Sequence, residues 1–360
     1  MQTILGTVRL ARCYYHCTAC HDGFVPWDRQ LGLNERSFTP AAQELVALAG
    51  TLVSFAKGGE RTLHKLSGLR VSESTVQRTT EDAGRRLGEI WSDRQTLGPR
   101  CNWNWQRDAR GRTCAYVSVD ATSIRQQGPN GSKAEGRMAY VAKLYSPAVQ
   151  EGAKPASGQV RYLAGIQPLE GLGLRIRAQA GQVGWDDVEQ QIALSDGGAG
   201  LEEFFRVNFP RAVCILDFWH AREHLVELAG VWFGADDVAR QAWLDRQSHR
   251  LKHEGGIAVL NELRSMELRG RNAEAREYHR ATMQYFENHV HRMDYPRYVA
   301  EGWQIGSGPV EAACKSVVAE RLKCSGMRWG EDGSDAVCHL RALWLSEPGQ
   351  WTAFWKDHPN

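Results

Sequence analysis

The chain has 360 residues, 42% of them hydrophobic and 24% charged, with a formal net charge of +2. Such a length predicts two or three structural units. Near-neutrality excludes global steering toward nucleic acid, so binding of that kind has to come from local patches. No apolar run approaches the roughly 20 residues of a membrane span and no secretory leader is visible, so the chain reads as soluble and cytoplasmic, without a membrane partner. Nine scattered cysteines, an odd number, predict free thiols or metal ligands instead of a disulfide framework.

The first predicted unit, residues 1–36, is half of a zinc ribbon. Cys17 and Cys20 form a CxxC pair, the spacing at which two thiolates face one Zn²⁺. A structural site needs four ligands, and no second CxxC follows. Cys13 or His16, with His21, could complete it in a cramped geometry. The alternatives are free thiols on a vestigial half-ribbon, or a partner pair upstream of Met1.

Residues 37–100 carry a helical pattern. Thr39 suits a helix cap and Pro40 the first helical position. Leu45, Leu48, Ala49, Leu52, Val53 and Ala56 then share one face. Gly58-Gly59 is expected to end that helix, with a short helix over 60–66 and a turn at Gly68. A third helix, capped by Ser72, opens with Glu73. Short helix, glycine turn and capped helix make a helix-turn-helix outline. Ser74, Thr75, Gln77, Arg78, Arg85 and Arg86 are the side-chain types that reach phosphates and base edges. The plainer alternative is a helical hairpin with a solvated face.

Residues 110–222 read as an α/β core. A β-branched and aromatic stretch over 113–122 predicts a short buried strand that ends on Asp120, followed by small residues and a polar, glycine-rich loop over 126–136. Strands are expected over 138–145 and 159–164, and a helix over 185–192. A second short strand then ends on Asp196-Gly197. After a helix over 201–209, a strand over 212–216 ends on Asp217, followed by Phe218-Trp219-His220. Each aspartate alone reads most simply as a turn starter. Three strands delivering three acids toward one edge read differently, because ligands collect beyond strand ends in α/β sheets.

Residues 223–300 look helical throughout, with breaks at Gly255-Gly256 and Gly270. Residues 301–346 hold the block from Gly302 to Glu311. Gly308 suits the cap, Pro309 the first helical position and Glu311 the first turn. Val310, Ala313, Cys314, Val317 and Val318 form a buried stripe, so Glu311 faces away from the core. Lys315, Arg321, Lys323 and Arg328 decorate the polar side and exit, and Trp329 closes the segment. The bland alternatives are complementarity to the helix dipole for Glu311 and a solvated face for the cations. Residues 347–360 form a tail. Two Asp and one Glu suit hard divalent ions such as Mg²⁺ or Mn²⁺, a pair of which supports phosphodiester chemistry. Basic residues beside them would offset phosphate charge.

On these residues the chain resembles bacterial insertion-sequence transposases of the ISKra type, in the DDE group. The resemblance is carried by Tyr14-Tyr15-His16-Cys17 through Cys20, Val71-Ser72-Glu73-Ser74-Thr75-Val76 and Val119-Asp120-Ala121-Thr122. It continues through Ser195-Asp196-Gly197 and Asp217-Phe218-Trp219-His220 with Glu223-His224-Leu225. The most specific carriers are Gly306-Ser307-Gly308-Pro309-Val310-Glu311 and Gly326-Met327-Arg328-Trp329.

The resemblance implies a ribonuclease-H-like mixed-sheet core with a helical insertion, preceded by the helix-turn-helix region and the half ribbon. It implies a catalytic triad of Asp120, Asp196 and Glu311 holding two Mg²⁺ or Mn²⁺ ions. Asp217-x-x-His220 then looks like the acid-x-x-His signature of Mutator-like and hAT-like relatives. Some related families would make Asp217 the second acid; the glycines after Asp196 favour Asp196, because they allow close approach of a phosphate. The implied activity is metal-dependent cutting and strand transfer at insertion-sequence ends, by a homo-oligomer that pairs two DNA ends. Ser74, Thr75, Gln77 and Arg78 would read terminal repeats, while Lys315, Arg321, Lys323, Arg328 and Trp329 would grip DNA near the cut. Two departures stand out: the upstream cysteine pair is missing, and Gly200-Leu201 replaces an aromatic pair. A truncated DNA-binding relic and another ribonuclease-H-like nuclease are the rival expectations.

Overall fold

The computed structural model describes residues 1–33, 38–147 and 159–357. Its centre is a five-stranded mixed sheet: β1 Cys114–Ile124, β2 Arg137–Tyr145, β3 Val160–Gly165, β4 Gln190–Ser195 and β5 Val213–Leu216, in the order β3-β2-β1-β4-β5. β1 to β3 run antiparallel, and β4 and β5 run parallel to β1. Parallel neighbours need crossovers, and the helices Leu169–Gln182 and Leu201–Asn208 supply them.

β1 is central because its side chains are apolar on both faces. Ala115, Val117 and Val119 enter one core cluster, while Cys114 and Tyr116 enter the other. Alternation along a strand dictates that split. Register then decides where the acids fall. Ser118 pairs with Leu194, and Leu194 with Ile215. Two residues further along each chain stand Asp120, Asp196 and Asp217, level with one another across adjacent strands.

Helix α1 (Pro40–Leu52) starts on Thr39, whose side chain accepts from the Ala42 N–H. It stops at Leu52, short of the glycine pair expected to end it. A second helical run covers 55–67, with a π-helical middle at Gly58–Leu63. Gly59 is there for space: a Cβ on it would lie 2.4 Å from the Val71 carbonyl oxygen. Gly68, at φ +73, ends the run in the left-handed region open to glycine. Helix α2 (Glu73–Ser92) follows on its Ser72 cap. Its buried face carries Gly84, where a Cβ would meet the Ala336 carbonyl oxygen at 2.2 Å. That glycine lets α2 lie directly on the later core helix Glu331–Leu345.

The helix expected over 185–192 is a correction. Only Trp185–Asp187 forms a 3₁₀ turn, and the chain is already in β4 at Gln190, paired with Cys114. Pairing on both edges of β4 overrides the local preference. After β5 come α3 (Phe218–Phe233), the helices Asp237–Glu254 and Gly256–Ser265, α4 (Ala273–His289) and Tyr295–Ala300. The Gly255-Gly256 break separates two of them, and Gly270 lies in the next connection. Helix α5 (Gly308–Ala313) then passes into a π-helical turn at Cys314–Ala319 and reaches Leu322. At the N-terminus, two two-stranded hairpins precede the short helix Pro26–Gln30, and Cys17 and Cys20 sit at the turn of the second hairpin. Among the described residues no helix is long and apolar enough to cross a membrane.

Candidate active site

A cavity of about 260 Å³ opens at the carboxyl edge of the sheet, lined by Asp120, Asp196, Trp219, His220, Glu223, Ser307, Gly308, Val310 and Glu311. Three of the four acids singled out in the sequence thus share one cavity, although 76 and 115 residues separate the successive members.

Asp120 is half-buried on β1 and accepts the N–H of Ala121 at 2.7 Å. Burial raises its pKa; the Ala121 N–H and the Cys314 thiol pull it back, and the nearby Asp196 charge adds to the rise. Burial, followed by the Asp120 charge, pushes the Cys314 thiol well above its usual range, which keeps it protonated as a donor to that carboxylate. Asp196 follows β4 and accepts the Gly198 N–H at 2.9 Å, closing a tight turn. Gly197 has a reason beyond access for a ligand: a Cβ there would stand 2.8 Å from Tyr285 and 3.2 Å from His289, both on α4. Buried Arg292 ties the same turn down by donating to the Ser195 hydroxyl at 3.0 Å.

Glu311 stands exposed in the first turn of α5, and the Ser307 hydroxyl donates to it at 2.9 Å. The cap of α5 is Ser307, one residue before the glycine expected there. Spacing shows why it matters: a serine four residues ahead of a glutamate on a helix start can fix the carboxylate.

Asp217 takes a different job. It is 0% exposed, and its carboxylate accepts the N–H groups of Trp219, His220 (2.9 Å) and Ser307. It caps α3 and clamps the turn before α5 to the end of β5, outside the cavity lining. His220, one turn into α3, does line the cavity, with Glu223 3.4 Å from its ring. Behind it His224 stacks on Tyr285 at 3.8 Å, and burial lowers its pKa.

The three lining acids offer only hard oxygen donors, a set that suits Mg²⁺ or Mn²⁺. They are not drawn into a preformed cage: among the described residues no three His, Cys, Asp or Glu groups lie close enough together to hold a metal ion. The same holds at the N-terminus, where Cys17 and Cys20 are exposed and gather no third ligand from Cys13, His16 or His21. The Cys17 thiol is pulled below its usual range by the backbone N–H groups of Cys20 and Ala19.

Of the residues assigned to DNA, Ser74, Gln77, Arg78, Lys315, Lys323 and Arg328 are exposed. Thr75 is half-buried beside Ser72, and Arg85 is exposed but paired with Asp82. Arg86 turns inward and stacks over Phe354 at 4.5 Å. Arg321 and Trp329 are corrections. Arg321 is 2% exposed, sandwiched between Phe55 (4.7 Å) and Trp329 (4.9 Å), and donates to the Gly50 carbonyl at 2.9 Å. Burial lowers its pKa to about 10. Trp329 is buried with its indole N–H on the Leu322 carbonyl. The two bolt the N-terminal helices to the core, where they cannot reach a duplex. Arg321→Ala is expected to cost about 2–4 kcal/mol of stability in a urea melt, through lost packing, cation–π contact and an orphaned carbonyl. DNA retention by the folded variant should stay unchanged.

Compared with known proteins, the chain matches no family model, and no curated protein matches it significantly.

Proposed function

We propose that the protein is a DNA transposase of the DDE group, cutting and joining phosphodiester bonds at the carboxylate cavity. One observation carries the reading: register brings Asp120 and Asp196 level on adjacent parallel strands, and the start of α5 adds Glu311 to the same cavity. The order β3-β2-β1-β4-β5, with three antiparallel strands followed by two parallel ones, supports a ribonuclease-H-like core. The helices between Asp196 and Glu311 support an insertion of the kind the resemblance implies. The run 55–67, the Gly68 turn and α2 support a helix-turn-helix, with Ser74, Gln77 and Arg78 outward.

Asp120, Asp196 and Glu311 would hold two Mg²⁺ or Mn²⁺ ions, which when bound offset phosphate charge and activate the attacking oxygen. The protein's own groups do the positioning. Ser307 steadies Glu311, the Gly198 N–H steadies Asp196, and the Ala121 N–H steadies Asp120. Water would attack the phosphodiester at the element's end, and the freed 3′-hydroxyl would attack target DNA in line. DNA is the partner, and pairing of two ends calls for a homo-oligomer. Asp217, already holding three N–H groups, is not the second acid in this reading.

The test is a plasmid bearing the DNA that flanks the coding sequence, incubated with protein in Mg²⁺ or Mn²⁺. Nicks at discrete ends and joined products are the expected result. Nicks without joining would point to another ribonuclease-H-like nuclease. DNA retention without any nick in either metal would leave a non-catalytic binder.

A further inference from the structure

Beyond the carboxylate cavity, the far end of β1 opens into a second cleft of about 400 Å³. It is lined by Ser123, Arg125, Gln126, Lys133, Gly136 and Arg328, among others, and no carboxylate contributes to its wall. Glu135 belongs to the same loop but lies outside that lining. Backbone register explains why three cations meet there. Gln126 bridges Trp329 in parallel, with the Gln127 N–H on the Trp329 carbonyl and the Trp329 N–H on the Arg125 carbonyl. Gln126 and Trp329 point inward and are buried. Alternation therefore turns Arg125 and Arg328 outward as neighbours. Gln127 in turn bridges Lys133, which puts Lys133 on the same outward face. All three cations are exposed, and among the described residues none has an ion pair or side-chain hydrogen bond. By contrast Arg137, a few residues on, is paired with Glu331. Like charges placed side by side on paired strands cost stability. An unneutralised cluster with an acid-free wall is suited to a polyanion.

The cleft also has a direction. Lys323 donates to the Thr122 hydroxyl at 2.9 Å; Thr122 shares a face of β1 with Asp120, and Arg125 follows one residue past the end of that strand, turned to its other face. Five residues of extended chain lead from the acid to the first cleft arginine, on the order of 17 Å at about 3.4 Å per residue. That is about five base pairs of duplex.

We propose that this cleft carries the phosphate backbone of DNA leading away from the carboxylate cavity, with Arg125, Lys133 and Arg328 as its phosphate contacts and Lys323 as the step between. The inference rests on the transposase reading for the identity of the polymer. Phosphate contacts position the duplex without reading its sequence, so any duplex should register them.

The test is fluorescence anisotropy on a labelled mixed-sequence DNA duplex, titrated over a range of salt without divalent metal. The variant Arg125→Ala/Lys133→Ala/Arg328→Ala is compared with Lys252→Ala/Arg269→Ala/Arg276→Ala, which removes equal charge from exposed positions elsewhere. Expected for the cleft variant is a weakening of about tenfold or more near physiological salt, and a salt slope shallower by about 0.9 for each cation removed. The control triple should change affinity by less than about twofold. The control triple should melt with the parent, since its side chains are exposed, and the cleft triple should melt at or slightly above it, since it relieves like-charge repulsion. An unchanged slope in the cleft variant, with the parent still binding and cutting DNA, overturns the cleft proposal alone. Equal losses in both triples also overturn it, because net charge would then explain the binding. A parent that retains no duplex at all overturns the cleft and the transposase reading together.

Discussion

Glu311→Gln and Asp120→Asn should each reduce metal-dependent DNA cutting by about a thousandfold or more, while duplex retention changes by less than about twofold. The size follows from the several kcal/mol that metal-assisted charge stabilisation contributes to phosphoryl chemistry, at about 1.4 kcal/mol per factor of ten. Gln and Asn keep the shape of each acid and remove the charge that would hold an ion. Retention should survive because neither residue lies in the cleft of Arg125, Lys133 and Arg328. Nicked-product yield and anisotropy, taken on the same preparations, check both halves. Equal cutting by parent and Glu311→Gln would remove Glu311 from the chemistry.

Asp120→Asn carries a second expectation of opposite sign. Burial and the Asp196 charge raise the Asp120 pKa in the folded state. Between the unfolded and folded values the native state binds the extra proton, so this group's contribution to stability falls as pH rises through that window. Above the folded value the native state bears the full cost of a charged, partly buried carboxylate. Asn removes that cost. The variant should therefore melt above the parent at neutral pH, and the gain should shrink as pH falls toward the ordinary carboxylate range near about 4.

The strands were legible because they are simple, with β-branched and small residues and an acid just past β4 and β5; β1, expected to end on Asp120, runs on to Ile124 because its pairing with β2 continues that far. Their pairing was not, and pairing is what sets Asp120, Asp196 and Asp217 level. The glycine pair at Gly58-Gly59 misled because a local pattern cannot see Val71, whose carbonyl needs the space at Gly59. Arg321 misled for a related reason. It falls on the polar side of a helical wheel, yet Phe55, from a segment more than 260 residues earlier, covers it. Residues 185–192 were polar enough at their start to suggest a helix until β1 and β5 claimed them as strand. Ser307 was overlooked because its role shows only when Glu311 and Asp217 are both placed.

The choice between Asp196 and Asp217 gives the second large effect. Asp217→Ala should destabilise the fold by about 2–5 kcal/mol, whereas Asp196→Asn should change stability by under about 1 kcal/mol and abolish cutting. Removing Asp217 strips the α3 cap, worth about 1–2 kcal/mol by itself. It also leaves the buried Ser307 N–H without its acceptor, at a further cost of about 1–3 kcal/mol. The damage reaches the cavity indirectly, because Ser307 is both the residue Asp217 holds and the donor that steadies Glu311. Asp217→Asn keeps one oxygen acceptor but adds an amide that can only oppose a neighbouring N–H, so it should fall between parent and Ala in a urea melt. Whatever cutting Asp217→Asn loses at high temperature should return on cooling, where the clamp re-forms. Asp196→Asn should show no such recovery, since its loss is of charge and not of structure. If Asp217→Asn were instead fully stable and inactive at every temperature, the second acid would be Asp217, and the clamp would be a consequence of the site and not its support.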